Sequence, residues 1–531
     1  MTRLTQEQQA IIRSTGDIKI NAVAGSGKTT TLIAYARARP SEKILYLAFN
    51  KTVKLDAARK FAEMGLSNVR VETAHSLAYS YIVRAGKYTV RPDSYKTSEI
   101  AQLLDLNALS GKHSQYIFAT HILALTAWFC NSDRATLNDM NYEDVVTDPA
   151  AQTFVIRYKK EIVDYTRLFL NKMNQGEIDI THDFYLKKFH LARPVLPYDS
   201  ILFDEGQDAS EAMLAVFLAQ KATKVIVGDT HQQIYSWRYA INSLEKVGFP
   251  GYDLSASFRF DPSIARIAKD VVGWKNHLAL PAHINITGHG QPGKIKTKAV
   301  IARTNAGLLV RAIEMLIEQK KIGKVYFEGR IDSYTFGGEG ASIYDVLNLH
   351  LGERTRIRDK IIASMADMEE LEEYIDSTGD AQLRSLVPFV KEYGLRIPGY
   401  IQKLKECHVK EEDKSKADRI FSTVHRCKGL EYDEVTLVDD FITEARLVEL
   451  GNPADKTLRA RLTEEINLLY VAVTRTRSKL TMPEEGRPGT ARTATKKAST
   501  LKEKNPAKII KKGHGYSSAG TSRKILYKRG R

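Results

Sequence analysis

A glycine-rich stretch, residues 24–30, follows the apolar run 18–23 and precedes a helical pattern over 32–38. This strand–loop–helix order is the context that a phosphate-binding loop requires. Its glycines allow the backbone to curl so that N–H groups face phosphate oxygens. We expect Lys28 to place its charge on the β- and γ-phosphates of a nucleotide and Thr29 to ligate Mg²⁺. The predicted nucleotide-binding loop consists of Ala24, Gly25, Ser26, Gly27, Lys28, Thr29 and Thr30.

A pair of carboxylates follows a second apolar run. Residues 200–203 are typical of a buried strand, and Asp204 and Glu205 come directly after it. We expect Asp204 to hold Mg²⁺, directly or through water, and Glu205 to polarise the water that attacks the γ-phosphate. Two acids after a strand are often only a solvated turn. The nucleotide interpretation is favoured because Lys28 and Thr29 supply the complementary groups.

A third strand end, at residues 225–227, leads into a polar and aromatic loop that extends to residue 238. Gln232 in this loop could orient the attacking water and sense the γ-phosphate. Tyr235 and Trp237 lie just beyond it, and aromatic rings can stack on nucleic-acid bases. Taken alone, such rings are more often core or interface residues. Because these two rings lie in the same loop as Gln232, one short segment could serve both the nucleotide and the stacked bases.

The elements that must position these residues alternate between short apolar runs and helical stretches. Apolar runs bounded by Gly, Asp or Asn and separated by helices predict parallel α/β sheets covered on both faces. The candidate strands are residues 18–23, 44–49, 200–203, 225–227, 299–302 and 435–438.

Two long stretches, 77–190 and 310–415, have mostly helical patterns and interrupt this alternation. We interpret them as insertions into two α/β cores. The predicted organisation is a first core over 1–76 and 191–252, a second core over 253–309 and 416–482, and a tail over 483–531.

The composition excludes several protein classes. Among 531 residues, 43% are hydrophobic and 27% are charged, the mix of a protein with ordinary cores. No apolar run approaches the roughly 20 residues of a membrane span, and the first residues lack the apolar segment of a signal peptide. Three widely spaced cysteines support neither a disulfide framework nor a four-cysteine zinc site. We therefore expect an intracellular protein of a reducing compartment that is not secreted.

Most of the net charge of +16 resides in the C-terminal segment. Residues 481–531 hold 14 of the 79 Lys and Arg residues but three of the 63 Asp and Glu residues. This segment has few core-forming side chains, so the sequence predicts that it is disordered. A basic tail favours polyanionic partners, with nucleic acid first among them.

Taken together, these motifs resemble those of superfamily 1 DNA helicases, and in particular the UvrD/Rep-like branch. Gly-Asp-Thr-His-Gln-Gln-Ile-Tyr at 228–235 and Ser-Phe-Arg-Phe at 257–260 are especially similar to the helicase part of the F-box DNA helicases. The resemblance covers about residues 1–482 and implies two RecA-like cores, each with a mainly helical insertion. Ten segments occur in the family's order: 4–8, 24–30, 49–51, 73–76, 204–208, 228–238, 257–259, 301–305, 423–433 and 464–475.

In the nucleotide site, the resemblance implies that Gln8 reads the adenine edge, Phe258 stacks on the base and Glu431 meets the ribose. Arg259 and Arg475 would reach the γ-phosphate from the second core, across the cleft. Alone, either arginine could be an ordinary surface ion pair. The implied catalytic set is Lys28, Glu205, Gln232, Arg259 and Arg475, with ATP as the nucleotide and Mg²⁺ as the cofactor.

The resemblance also implies a path for single-stranded DNA. The residues that it places on or near this path are Phe49, Thr73, His75, Tyr235, Trp237 and His425. Each histidine considered alone would more often be a hydrogen-bonded structural residue, and neither has the neighbours of a zinc site.

The sequence departs from the family pattern in four places. The phosphate-binding motif begins with Asn21 instead of Gly, and Gly206 replaces a usual Ala between the paired acids and Gln207. Arg426 and Cys427 replace a pair that usually contains Ala. The second insertion is shorter than in the largest members. Because the helicase motifs begin at the first residues, we expect no F-box-like region and carry over no ubiquitin-ligase partnership.

We predict an ATP- and Mg²⁺-dependent translocase on single-stranded DNA, with helicase activity of 3′-to-5′ polarity by resemblance. One alternative is a nucleic-acid clamp whose ATPase drives no stepping, which the full catalytic set argues against. Another is a helicase–nuclease, which is disfavoured because no acidic cluster with a catalytic Lys follows Arg475.

The expected partners are single-stranded DNA and DNA junctions, with recombinase or replication proteins as further candidates and no membrane. The pathway would be replication, recombination or repair. We expect a monomer in solution that is cytoplasmic and nucleoid-associated, or nuclear in a eukaryotic host.

Overall fold

The computed structural model describes residues 4–84, 86, 88–106, 111–336 and 340–489. Six strands of its first half form one parallel sheet, and two others form a short antiparallel pair. The strands are β1 (Ile18–Ala22), β2 (Ile44–Ala48), β3 (Val69–Thr73), β4 (Ser200–Phe203), β5 (Ala209–Ser210), β6 (Thr223–Gly228), β7 (Ala240–Ile241) and β8 (Gly251–Leu254). The order in the large sheet is β3-β2-β4-β6-β1-β8.

The central strands of this sheet are buried on both faces, because helices cover both sides. Every residue of β2 and β4 is buried, as expected for apolar runs in a parallel sheet. The carboxyl ends of β4, β6 and β1 lie side by side at one edge. The loop at 24–30, the paired acids and the loop after β6 therefore meet at that edge.

The helices of the first half follow two patterns. Five of them belong to the α/β core, and six lie between β3 and β4 as a helical insertion. They are α1 (Gln6–Arg13), α2 (Lys28–Arg37), α3 (Lys51–Glu63), α4 (Ala74–Ala78), α5 (Thr97–Leu103), α6 (Ser114–Asn131), α7 (Pro149–Arg157), α8 (Lys159–Gln175), α9 (His182–Leu191), α10 (Glu211–Leu218) and α11 (Ser243–Lys246). The insertion consists of α4–α9.

The second half contains a five-stranded parallel sheet and a short parallel pair. Its strands are β9 (Ala256–Ser257), β10 (Thr287–Gly288), β11 (Lys298–Ala302), β12 (Val325–Phe327), β13 (Arg419–Thr423), β14 (Tyr432–Leu437) and β15 (Thr476–Thr481). The order in the larger sheet is β12-β13-β11-β14-β15.

A second helical insertion lies between β12 and β13 and consists of α14–α18. The helices of this half are α12 (Pro262–Gly273), α13 (Asn305–Ile313), α14 (Ile343–His350), α15 (Lys360–Ala363), α16 (Met368–Thr378), α17 (Ala381–Tyr393), α18 (Ile397–Glu406), α19 (Val424–Cys427), α20 (Glu444–Leu450) and α21 (Lys456–Val473). Two parallel-sheet α/β domains with helical insertions confirm the predicted fold class.

The observed elements shift two of the predicted boundaries. Strand β12 lies inside the range 310–415 but pairs with β13, so the second insertion begins after Phe327. Residues Cys407 and His408 also contact β12: the Val325 N–H donates to the Cys407 carbonyl, and the Phe327 N–H donates to His408 Nε2. Strand β8 pairs with β1 and therefore extends the first core to Leu254.

The two domains pack directly on each other. Val23, Ala24 and Ile234 of the first domain lie in the same apolar cluster as residues of the second domain. The insertions also touch, since His113 of the first is 3.0 Å from the Glu370 carboxylate of the second. No helix in the described part of the chain is long and apolar enough to cross a membrane. Most of the predicted tail, residues 490–531, lies outside the described residues.

The interior position of β13, between β12 and β11, predicts a large loss of stability when its core side chain is truncated. Phe421 is fully buried, so Phe421→Ala should lower the free energy of unfolding by about 3–5 kcal/mol through lost burial and a cavity. The control Val448→Ala, at a half-exposed position on α20, should change it by less than about 0.5 kcal/mol. Urea unfolding followed by circular dichroism measures the free energy of unfolding of both variants. Similar losses in the two would contradict the position of Phe421 in the core.

Candidate nucleotide and nucleic-acid site

The glycine-rich loop between β1 and α2 has the backbone of a phosphate cradle. Gly25 and Gly27 have φ angles of +76° and +81°, which favour glycine. A Cβ on Gly25 would also lie 2.6 Å from Arg259 Cβ. Ser26 Oγ is buried and has no hydrogen-bond partner among the described residues. Curled backbone and an unsatisfied hydroxyl fit a phosphate group at this loop.

Lys28 begins helix α2 and points at the paired acids. Its Nζ is 2.6 Å from Glu205 Oε1. Burial acts to lower the pKa of Lys28, but the carboxylates of Glu205 and Asp204 outweigh it and hold the pKa above its usual value. Against the opposing effect of burial, Lys28 and Lys428 hold the pKa of Glu205 below its usual range. Both side chains are therefore charged at neutral pH.

Asp204, at the carboxyl end of β4, has the chemistry of a Mg²⁺ ligand. Its Oδ1 accepts a hydrogen bond from the Glu205 N–H at 2.9 Å, and its Oδ2 accepts one from the Tyr46 hydroxyl. Burial and the charge of Glu205 raise its pKa. A cation would relieve that unfavourable negative charge, and carboxylate and hydroxyl oxygens are the ligands that Mg²⁺ prefers. Asp204 and Thr29 thus fit the predicted metal site in chemical type.

The loop after β6 holds Gln232 between the two domains. Gln232 Nε2 donates to Asp229 Oδ2 at 2.8 Å, and the Tyr470 hydroxyl donates to the same oxygen at 2.9 Å. Arg475 is 1% exposed, and its Nη2 donates to Gln232 Oε1 at 3.3 Å. The predicted catalytic residues Gln232 and Arg475 are therefore in contact.

Arg259 reaches the same region from the segment after β9. Its guanidinium pairs with Glu431 Oε1 at 2.6 Å and donates to the Thr474 carbonyl at 2.8 Å. Burial and the nearby charge of Arg475 lower the pKa of Arg259 to about 10. Its Nε is buried without a hydrogen-bond partner in the described part of the chain. Two adjacent cations with an unused donor fit an anionic ligand.

The residues predicted to hold the base and sugar also surround the loop. The Phe258 N–H donates to the Gly25 carbonyl at 2.9 Å, while the Phe258 ring is 51% exposed and available for stacking. Gln8 Nε2 is 3.2 Å from the position that a Cβ on Gly27 would occupy. Gln8 and Phe258 thus both lie against the loop. Glu431 lies nearby, because it pairs with Arg259, the residue that follows Phe258.

Four of the six residues predicted on the DNA path form one aromatic cluster. Phe49 and Tyr235 stack with ring centroids 5.6 Å apart, and Trp237 and His425 complete the group. The Tyr235 hydroxyl donates to the His425 carbonyl at 3.2 Å, so the cluster spans both domains. Trp237 is 58% exposed and can stack on a base.

The other two residues are placed differently. The Thr73 hydroxyl accepts from the Ser76 N–H at 3.0 Å and caps helix α4, which is a structural role. The His75 ring contacts Tyr185 and His182 of α9 instead of the four-ring cluster. The structure therefore gathers the cluster residues and leaves Thr73 and His75 beside it.

Two family models cover most of the chain. The UvrD/REP helicase N-terminal domain matches residues 4–245, and the UvrD-like helicase C-terminal domain matches residues 283–484. The chain belongs to the UvrD-like helicases. This confirms the resemblance read from the ten segments.

The curated relatives of this UvrD-like helicase are longer proteins. F-box DNA helicase 1 of Gallus gallus is 29% identical over 91% of this chain and 49% of its own length. F-box DNA helicase protein 1 of Schizosaccharomyces pombe is 28% identical over 90% of this chain and 57% of its own length. A probable DNA helicase of Mycoplasma pneumoniae is 21% identical over 90% and 82%. The chain thus spans about half the length of the two F-box relatives.

A buried network that the sequence motifs did not reveal joins the two domains of the helicase. Gln207 is fully buried; its Nε2 donates to Glu205 at 2.6 Å and to Asp208 at 3.1 Å. Lys428 pairs with Asp208 and donates to the Gln232 carbonyl at 2.6 Å. Its Nζ also lies 4.9 Å from the Tyr235 ring centroid. Gln207, Asp208 and Lys428 lie within the quoted segments, but sequence order alone does not reveal contacts across the interface.

The Lys428–Asp208 pair predicts a non-additive effect on stability. Burial raises the pKa of Asp208 to about 6 even beside Lys428. Lys428→Met leaves that carboxylate buried and unpaired, which should cost about 3–5 kcal/mol. Asp208→Asn in the same chain should recover most of the loss, and the exposed control Lys410→Met should change little. Chemical unfolding at pH 7 measures all four proteins; a double variant no more stable than Lys428→Met alone would contradict the pair.

Proposed function

We propose that this UvrD-like helicase couples ATP hydrolysis, with Mg²⁺ as cofactor, to movement along single-stranded DNA and unwinds duplex DNA ahead of it. One observation carries the proposal. A single loop, residues 229–237, contacts catalytic candidates at one end and bears the aromatic cluster at the other. Gln232, which would respond to the nucleotide, is therefore only three and five residues before the rings of Tyr235 and Trp237, which would hold the bases.

The nucleotide chemistry assigns each charged residue a task. Lys28 binds the β- and γ-phosphates, and the loop N–H groups cradle them. Glu205 accepts a proton from the attacking water, while Gln232 orients that water. Arg259 and Arg475 stabilise the charge of the transferring phosphoryl group from the second domain. Mg²⁺, held by Asp204 and Thr29, would neutralise phosphate charge when bound.

Stepping follows from the position of the arginines across the cleft. The negative phosphate bound at Lys28 attracts Arg259 and Arg475 of the second domain. When phosphate is released this attraction is lost, so the domains separate. Separation changes the spacing between Tyr235 and His425, which belong to different domains but contact each other in the structure. Repeated closing and opening would move stacked bases past the aromatic cluster.

Polarity and pathway belong to the proposal as well. The family resemblance supports 3′-to-5′ movement, action at DNA junctions, and a task in replication, recombination or repair. The two F-box relatives support DNA as the substrate by name. We propose that the chain acts as a monomer where chromosomal DNA is found, with recombinase or replication proteins as partners.

Tailed duplexes test the proposed activity directly. The expected result is ATP-dependent unwinding of a 3′-tailed duplex and faster displacement of streptavidin from a 5′-biotinylated than from a 3′-biotinylated oligonucleotide. Unwinding of the 5′-tailed duplex alone would overturn the polarity. DNA-stimulated ATPase without streptavidin displacement from either end would favour the clamp.

Two active-site variants should separate nucleotide binding from hydrolysis. Lys28→Ala removes the phosphate charge partner and should weaken nucleotide affinity and turnover together. Glu205→Gln keeps the shape but not the base, so affinity should hold while turnover falls about 10²–10⁴-fold. Fluorescent-nucleotide binding and steady-state ATPase measure both quantities. Near-normal turnover in Glu205→Gln would reject Glu205 as the base.

The aromatic cluster should contribute both to the affinity for single-stranded DNA and to the coupling of ATP hydrolysis to stepping. Trp237→Ala removes one base stack and should weaken single-strand binding by about 1–3 kcal/mol. Stepping should slow more than ATP hydrolysis, because the stack transmits domain closure to DNA. Trp237→Phe keeps an aromatic face and serves as the matched control. Fluorescence anisotropy and stopped-flow translocation report the two effects; normal translocation by Trp237→Ala would place this ring outside the path.

A further inference from the structure

A buried lysine at the contact between the domains takes no part in the sites described above. Lys275 lies in the turn after α12 and is 6% exposed. Its Nζ is 2.9 Å from Nδ1 of His231, which is 7% exposed and belongs to the first domain. No carboxylate of the described residues is within ion-pair distance of this ammonium. Burying a charge against a neutral imidazole is unfavourable, so packing alone does not account for the lysine.

His231 and the Gln232 side chain share a hydrogen-bond acceptor, the carboxylate of Asp229. The His231 N–H donates to Asp229 Oδ1 at 3.0 Å, and Gln232 Nε2 donates to Asp229 Oδ2 at 2.8 Å. Gln232 in turn contacts Arg475 of the second domain. A displacement of His231 would therefore move Asp229 and with it the amide that faces Arg475.

We propose that Lys275 is a positioning residue for ATP hydrolysis, an inference that rests on the proposed function. By donating a hydrogen bond to His231, Lys275 holds the Gln232 loop in register with the second domain when the cleft is closed. The contact crosses the domain interface, so it forms on closure and breaks on opening. Gln232 is then correctly placed only in the closed state.

The groups around Lys275 give this contact a pH dependence. Burial lowers the pKa of Lys275 to about 8, although Glu245 and Asp229 oppose the shift. Burial and the charge of Lys275 hold the pKa of His231 well below its usual value, so His231 stays an acceptor at neutral pH. The titratable groups on the neighbouring elements are Asp229 and His231 after β6, Glu245 on α11, Tyr470 on α21, and the pair of His277 and Glu444. Above about pH 8, Lys275 loses its proton and the charge-assisted hydrogen bond weakens.

The test compares pH profiles of DNA-saturated ATP turnover in the full chain. In the wild type, turnover should fall on the alkaline side with a midpoint near pH 8. Lys275→Met should lower neutral-pH turnover by about tenfold, as expected for a misplaced catalytic group, and should lack this alkaline limb. Nucleotide affinity should stay within about twofold. Lys269→Met, an exposed position on the same α12 segment, is the control and should keep the wild-type profile.

The melting temperature of Lys275→Met distinguishes a positioning role of Lys275 from a general loss of folded protein. Because the folded protein binds the Lys275 proton less tightly than the unfolded chain does, the charge destabilises the fold at pH 7. Lys275→Met should therefore melt at or above the wild-type temperature. In a double-mutant cycle, Lys275→Met and His231→Leu should lower turnover by no more together than the larger single effect. Additive effects, or an unchanged pH profile in Lys275→Met, would overturn the inference.

A readout that needs no hydrolysis keeps the inference distinct from the proposed function. With ¹⁵N-labelled histidine, the Nδ1 resonance of His231, assigned by its loss in His231→Leu, should shift when Lys275 is replaced by Met. A wild type without ATPase activity would overturn the proposed function. An unshifted resonance would overturn the Lys275 contact, whatever the ATPase result.

Discussion

The contact between the loop after β6 and the second domain is the constraint on which the rest of this helicase depends. Through residues 229–237, the loop meets Arg475, Lys428 and Tyr470 on one side and supplies the stacking rings on the other. Its position is fixed only when both sheets present their edges to the same cleft. The parallel order of each sheet achieves this, because all strands of a parallel sheet end at one edge.

Charge burial is the cost of this arrangement. Arg475, Lys275, Asp208 and Asp229 are all nearly inaccessible to solvent. Replacing buried ion pairs by apolar side chains often leaves stability unchanged or increases it, so stability alone does not explain these groups. Several of them have polar partners across the contact between the domains: Lys428 meets Asp208, and Arg475 meets Gln232. In the function that we propose, a bound anionic nucleotide would favour this arrangement of the domains.

Several parts of the site follow from local sequence. The glycine-rich loop, the acids after β4 and the rings after Gln232 each lie after a strand, as the apolar runs indicated, because chain direction fixes what lies at the strand end. Their functional roles stay predictions. Thr73 and His75 lie outside the four-ring cluster, and their place on a DNA path stays a prediction. A threonine before a helix is equally suited to capping it, and Thr73 caps α4.

The sequence by itself determined the two α/β cores, the helical insertions and the order of the chemical motifs, because these depend on periodicity and on short spacings. The candidate runs omitted five strands of the two larger sheets, namely β3, β8, β12, β13 and β15. Two of them show why: Arg419–Thr423 contains only two apolar residues, and β12 is only three residues long. Only the tertiary structure decided that Lys428 meets Asp208 and that Lys275 meets His231. The partners in these contacts are 220 and 44 residues apart in the chain. Their meeting depends on how the two domains pack on each other, which no local pattern encodes.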